Sequence, residues 1–231
     1  MLHVSNIRYR WHQQGPLILD IPDFKVGKGE RVFLKGPSGS GKTTLLNLLG
    51  GVAVPESGRI SIMDSDISAF GGARRDAFRA DHIGFIFQMF NLLPYLSLID
   101  NVTLPCHFSK VRRQRALQRS SSIEEEARRI LFHMKLDIDE LSARSVSRLS
   151  MGQQQRVAAA RSLIGSPELV IADEPTSSLD AGVRTSFLNL LFQEIRDSSS
   201  SLLFVSHDAS LEDAFDRTVP LTEINRIIPQ E

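Results

Sequence analysis

The residues best suited to chemistry lie in Gly36-Pro37-Ser38-Gly39-Ser40-Gly41-Lys42-Thr43-Thr44. Gly36, Gly39 and Gly41 lack a Cβ, so the backbone is free to take positive φ angles and turn successive N–H groups toward phosphate oxygens. Lys42 is placed to reach β- and γ-phosphates as a mobile point charge, and the Thr43 hydroxyl is placed to ligate a bridging Mg²⁺. The chemistry implied is the binding of a nucleoside triphosphate together with a divalent cation. The elements around the stretch agree: the apolar run Arg31-Val32-Phe33-Leu34 precedes it and the helical pattern Thr44-Leu45-Leu46-Asn47-Leu48-Leu49 follows. A strand, a glycine-rich loop and a helix in that order turn a P-loop pattern into a phosphate-site prediction, because the helix start adds unpaired N–H groups and the positive end of its dipole. The competing reading is a glycine-rich turn that caps an ordinary helix.

A second set of groups sits at strand ends. Leu169-Val170-Ile171-Ala172 reads as a buried strand that delivers Asp173-Glu174, and ligands of open α/β sheets lie outside that end of the strands. Asp173 suits a magnesium site through its water shell, and Glu174 suits a general base that polarises the attacking water. Leu202-Leu203-Phe204-Val205-Ser206 is another buried strand, and it ends in His207, either a structural histidine or one that bonds a γ-phosphate. Ser150-Met151-Gly152-Gln153 opens a helix. Its S-x-x-Q spacing is a capping box, which by itself signals helix initiation, while an anion-binding helix start is the functional alternative. Tyr9 and Trp11 share one strand face, where an aromatic ring serves either as core or as a platform for a nucleotide base.

At 231 residues the chain suits one large domain or a domain with a substantial insert. Lys+Arg 27 against Asp+Glu 27 leaves no formal net charge and so no electrostatic footprint for nucleic acid. A single cysteine, Cys106, excludes an internal disulfide and fits a reducing compartment. No signal peptide and no apolar run of about 20 residues are visible, so a cytosolic chain is expected, with membrane association only through a partner.

Residues 2 to 35 read as strands at Leu2–Val4, Ile7–Tyr9, Leu17–Ile21 and Arg31–Lys35, with a further strand at Arg59–Met63 and one at Ile83–Phe87 ending in Gln88. The period then changes. Met89 to Pro94 is an apolar loop, and most of Ser97 to Gly165 reads as helix, including a capping box at Ser122-Ile123-Glu124-Glu125. Residues 89–164 are therefore expected to form an inserted helical subdomain. Residues 1–88 and 165–231 are expected to form the core. Within the insert, Lys110-Val111-Arg112-Arg113-Gln114-Arg115-Ala116-Leu117-Gln118-Arg119 is either a solvated face or mobile loop, or a contact for anionic lipid or an acidic partner.

The ordered series Gly36–Thr43, Gln88, Leu149-Ser150-Met151-Gly152-Gln153, Asp173-Glu174, Ser178-Leu179-Asp180 and His207 resembles the nucleotide-binding subunit of ATP-binding cassette (ABC) transporters along essentially the whole chain. The resemblance implies an α/β fold: a P-loop NTPase (RecA-like) core with an N-terminal antiparallel β-subdomain and an inserted α-helical subdomain. It implies ATP and Mg²⁺ as ligands, with Thr43, Gln88 and Asp173 at the metal, Glu174 as base, Gln88 as sensor of metal and water, and His207 as switch histidine. Tyr9 becomes the base-stacking aromatic, with Trp11 as substitute. Ser150 and the Gly152 amide would bind the ATP of a second copy, and Asp180 would contact that copy, so the subunit is expected to homodimerise around two ATP and to drive a separate membrane permease from the cytoplasmic face. Met151 departs from the family pattern, in which glycine is usual; a requirement for positive φ there would be strained. Ile83–Gln88 with Phe90–Pro94 and Asn101–Pro105 resembles the lipoprotein-release and macrolide-export branch. The alternative is the cell-division type of regulator, which signals through a permease-like partner without transport.

Overall fold

In β1 (Leu2–Tyr9) the buried positions are Leu2 and Val4, then Ile7 and Tyr9, so the inward face changes parity midway. The cause is Asn6, whose φ of 51° inserts a bulge against β4 (Ser57–Ile62), with the register shifting between Ser5 and Arg8. Asparagine tolerates this left-handed backbone better than most residues. One bulged strand thus replaces the two short strands expected there. β2 (Leu19–Val26) pairs antiparallel with β1 and shifts parity in step, burying Leu19 and Ile21, then Phe24 and Val26. The order β2-β1-β4-β5, with β5 the short strand Ser65–Asp66, makes an antiparallel sheet.

This computed structural model describes residues 1–37, 39–141 and 145–227, and the chain divides into two compact units: Met1–Arg79 with Ser201–Glu231, and Ala80–Ser200. The first unit holds the antiparallel sheet and also β3 (Arg31–Lys35), which pairs in parallel with β8 (Ser201–Ser206) on one side and β9 (Arg217–Pro220) on the other. Phe33, Phe204 and Phe215 pack against one another with centroids 5.0–6.0 Å apart, within the useful range of aromatic contact. β3 runs into the glycine-rich loop and α1 (Lys42–Leu49), whose Leu45, Leu46, Leu48 and Leu49 are buried. α2 (Gly72–His82) buries no residue, and α9 (Leu221–Ile224) follows β9 directly.

In the second unit β6 (Ile83–Ile86) pairs in parallel with β7 (Leu169–Asp173). α3 (Leu98–Phe108), α4 (Lys110–Arg119), α5 (Ile123–His133), α6 (Ile138–Leu141) and α7 (Met151–Leu163) supply the helical part, and α8 (Ala181–Asp197) follows β7. Val157, Ala158, Ala159 and Ala160 of α7 are fully buried. The small residues let α7 approach β6 closely: a Cβ on Gly84 would run into the Ser162 carbonyl. At the start of α5, Ser122 accepts from the Glu125 N–H at 3.1 Å as expected, but the Glu125 carboxylate turns to Ser121 instead of closing the box.

The basic run is neither a loop nor a fully solvated face. It forms α4, and two of its arginines point inward. Arg112 is 3% exposed, and its guanidinium donates to the carbonyls of Ile164 at 2.8 Å, Ser162 at 2.6 Å and Arg161 at 3.4 Å, capping the last turn of α7. Burial pushes the Arg112 pKa down to about 10, which leaves it charged at neutral pH. Arg115 grips Glu168 at 2.6 Å and the Ser166 carbonyl at 3.1 Å. Burial works to raise the Glu168 pKa, yet hydrogen bonds from His82 and Arg115 prevail and hold it at about 2. Only part of the run, including Lys110 and Arg113, faces outward.

Candidate nucleotide site

The loop after β3 is built to receive an anion. Gly41 has φ 97°, and a Cβ there would meet Leu19 Cδ2 at 2.9 Å, so the turn into α1 requires glycine. Ser40 is buried and its hydroxyl donates to the Pro37 carbonyl at 2.8 Å, which tightens the loop. Lys42 Nζ donates to the carbonyls of Gly36 at 2.7 Å and Pro37 at 2.9 Å. Among the described residues no side chain caps α1, and its first turn contains no carboxylate. The positive end of the dipole thus meets neither a capping side chain nor a carboxylate, and phosphate oxygens suit such a helix start. Thr43 is exposed at the second position of the helix, and Thr44 is buried. Ser38 lies outside the described residues.

Of the two aromatic candidates, Tyr9 is 8% exposed and meets Trp11 edge to face with centroids 5.2 Å apart, whereas Trp11 is 52% exposed. The free ring surface therefore belongs to Trp11. His207 follows β8 and is exposed, and Asp208 accepts from the Ser210 N–H at 3.0 Å to begin the next turn.

In the second unit Gln88 is exposed just beyond β6. Asp173 ends β7, and Glu174 follows it with φ 44°, a left-handed backbone that a non-glycine residue seldom adopts. Both carboxylates are half-buried. The Asp173 carboxylate and the Gln88 amide offer oxygen donors, the kind a hard cation such as Mg²⁺ takes, and in the first unit the Thr43 hydroxyl is a donor of the same kind.

The segment Ser150–Gln153 begins α7 with both halves of the capping box present: Ser150 Oγ accepts from the Gln153 N–H at 3.3 Å, and Gln153 Oε1 accepts from the Ser150 N–H at 2.9 Å. Met151 is the first helical residue, with no positive φ, so its departure from glycine carries no backbone strain. Its side chain is exposed. A cleft of about 370 Å³ brings Ser150, Met151, Gly152 and Gln153 together with Ser178, Leu179 and Asp180. Asp180 also caps α8, accepting from the Val183 N–H at 2.9 Å. Gln155, fully buried, donates through Nε2 to the Pro175 carbonyl and so ties α7 to the turn that follows the two carboxylates. Gln155 was not singled out from the sequence, because its partner lies 20 positions away.

A phosphate-binding loop on a parallel strand, paired carboxylates at a strand end and a capped helix facing Asp180 define a P-loop ATPase of α/β fold. The ABC transporter family model matches residues 19–177, more than half of the chain, and the chain belongs to that family. The lipoprotein-releasing system ATP-binding protein LolD of Cytophaga hutchinsonii is 38% identical over 87% of this chain and 88% of its own. LolD of Hydrogenovibrio crunogenus is 35% identical over 100% of this chain and 97% of its own. The ABC transporter ATP-binding protein YtrE of Bacillus subtilis is 37% identical over 84% of this chain and 79% of its own. Among solved structures, a dimeric post-hydrolysis state of the ATP-binding cassette MJ0796 bound to ADP and Pi superimposes with a TM-score of 0.78 at 30% identity, covering 95% of this chain and 94% of that one.

Proposed function

We propose that the chain is the ATP-hydrolysing subunit of a membrane transporter of the lipoprotein-release or macrolide-export type, acting as a homodimer closed by ATP on a separate permease. The observation that carries this reading is that one chain holds two unlike half-sites. The start of α1 follows the glycine-rich loop with no side-chain cap among the described residues and no carboxylate in its first turn, while the start of α7 opens into a cleft with Asp180. Two copies arranged head to tail give each half-site its counterpart, so ATP held by Gly36–Thr44 of one copy meets Ser150 and Gly152 of the other.

The reaction is attack of water on the γ-phosphorus, with loss of the bond to the β-phosphate oxygen, giving ADP and phosphate. Glu174 orients the water and accepts its proton, Lys42 and the loop N–H groups offset charge on the phosphates, and Gln88 and His207 orient the water and the γ-phosphate. Mg²⁺, held by Thr43, Gln88 and Asp173, would neutralise phosphate charge. The positive φ of Glu174 fits a carboxylate whose direction matters more than its backbone comfort. Trp11 or Tyr9 stacks on the base, and the exposure of Trp11 favours it. Residues 1–88 and 165–231 serve as the nucleotide-binding core and 89–164 as the helical subdomain. No helix among the described residues is long and apolar enough to cross a membrane. The peripheral place on the cytoplasmic face belongs to the proposed role and comes through the permease.

The test uses Glu174→Gln as bait, purified with ATP from detergent-solubilised membranes of the source organism. Recovery of a permease with few spans and a large extracytoplasmic domain is the expected result. A many-spanning permease without such a domain would remove the branch assignment, and recovery only with soluble complexes would remove the transporter role.

A further inference from the structure

One residue beyond Gln88, after Met89, the backbone enters the left-handed region twice in succession, with φ 58° at Phe90 and 48° at Asn91. Neither is glycine, and such a pair persists only where its surroundings hold it. The holding group comes from the last turn of α7. Arg161 donates through Nη2 to the Phe90 carbonyl at 2.5 Å and through Nη1 to the Asn91 carbonyl at 2.6 Å. One planar guanidinium spans two consecutive carbonyls, a fork that an ammonium does not reproduce. The negative end of the α7 dipole favours a cation at this position. A second anchor continues the hold: Asn101, fully buried, accepts from the Leu93 N–H at 2.8 Å and donates to the carbonyls of Leu93 and Ser97, each at 3.0 Å. Phe90 is buried, while Met89 and Tyr95 project outward on either side of it, 80% and 78% exposed.

We propose that Arg161 is a positioning residue that locks the segment following Gln88 to α7, so that Gln88 and the helix bearing Ser150 move as one body. The role of Gln88 rests on the proposed function; the lock itself does not. Pinning at Phe90 and Asn91 limits the directions open to Gln88, two residues upstream. It also means that a force applied at Met89 or Tyr95 reaches α7 through hydrogen bonds rather than through a slack loop.

The test compares full-length Arg161→Met, which keeps the apolar stem but no donor, with Arg161→Lys, which keeps one donor group. Amide hydrogen exchange is read at 89–93 and along α7, alongside ATP turnover. In Arg161→Met the amides of 89–93 should exchange about tenfold faster while those of α7 keep their protection. kcat should fall about tenfold with KM for ATP within about twofold, and Arg161→Lys should restore part of both effects. If the methionine variant does not fold, the lysine variant must show the same local pattern at smaller amplitude. Unchanged exchange at 89–93 would overturn the lock, as would faster exchange throughout the unit. Local loosening with wild-type turnover would overturn the positioning of Gln88. A wild-type chain that hydrolyses no ATP would remove the proposed function while leaving the exchange result to judge the lock by itself.

Discussion

α1 and α7 are alike at one end and opposite at the other. Just past the last turn of α1, the Gly51 carbonyl accepts from Arg75 at 2.8 Å and Arg79 at 3.3 Å, and the final carbonyls of α7 accept from Arg112. Both C-termini are thus held by arginines from other helices, where cations oppose the negative end of the dipole. The N-termini differ. Among the described residues, α1 has no side-chain cap and starts at a glycine with φ 97°, whereas α7 closes a full capping box with its own Ser150 and Gln153. A helix start without a side-chain cap gains most from an anion, whereas a capping box stabilises a helix start before any ligand arrives. On the proposed function the two helix starts would do different work: α1 would supply affinity for ATP, and α7 would present a preformed surface to the ATP held by another copy.

The largest effect expected from this contrast is at α1. Lys42→Ala should weaken ATP binding by at least about a thousandfold, read by titration of a fluorescent nucleotide, because it removes the mobile charge from a cradle of N–H dipoles. Retained tight binding would show that the loop N–H groups suffice. Next comes the shared feature, the arginine at the C-terminus. Arg112→Met should lower stability by about 3 kcal/mol in denaturant unfolding, because it leaves the buried Ser162 carbonyl without this donor. ATP affinity of the folded variant should be unchanged; a weakened affinity would link that end of α7 to the ligand. The smallest effects belong to the start of α7. Ser150→Ala should cost about 1 kcal/mol of stability through the lost cap. Met151→Gly should leave turnover near wild type, since Met151 sits in ordinary helical backbone; a collapse of turnover would reveal a role for that side chain.

The glycine-rich loop was legible because its requirements are local: Gly41 is needed by the turn it makes, and α1 follows at once. Ser150 and Gln153 were legible for the same reason, since a capping box spans four residues. Arg161 and Arg112 were not, because their partners are carbonyls some fifty to seventy positions away and nothing in a helical or basic pattern says which carbonyl an arginine will meet. The basic run illustrates the cost: spacing alone makes it a charged surface, whereas packing turns Arg112 and Arg115 inward to serve α7 and Glu168. Asn6 is a smaller case, in which one left-handed residue joins two apparent strands into β1. That Tyr9 is buried and Trp11 exposed likewise follows from packing, which sequence position does not supply.

If ATP joins two copies across the unlike starts of α1 and α7, the mass of purified Glu174→Gln must depend on nucleotide, read by sedimentation with and without MgATP. A monomer is expected without nucleotide and a stable dimer with it, reduced back to monomer by adding Lys42→Ala to the same chain. A mass that ignores ATP, whether monomer or dimer, would contradict it.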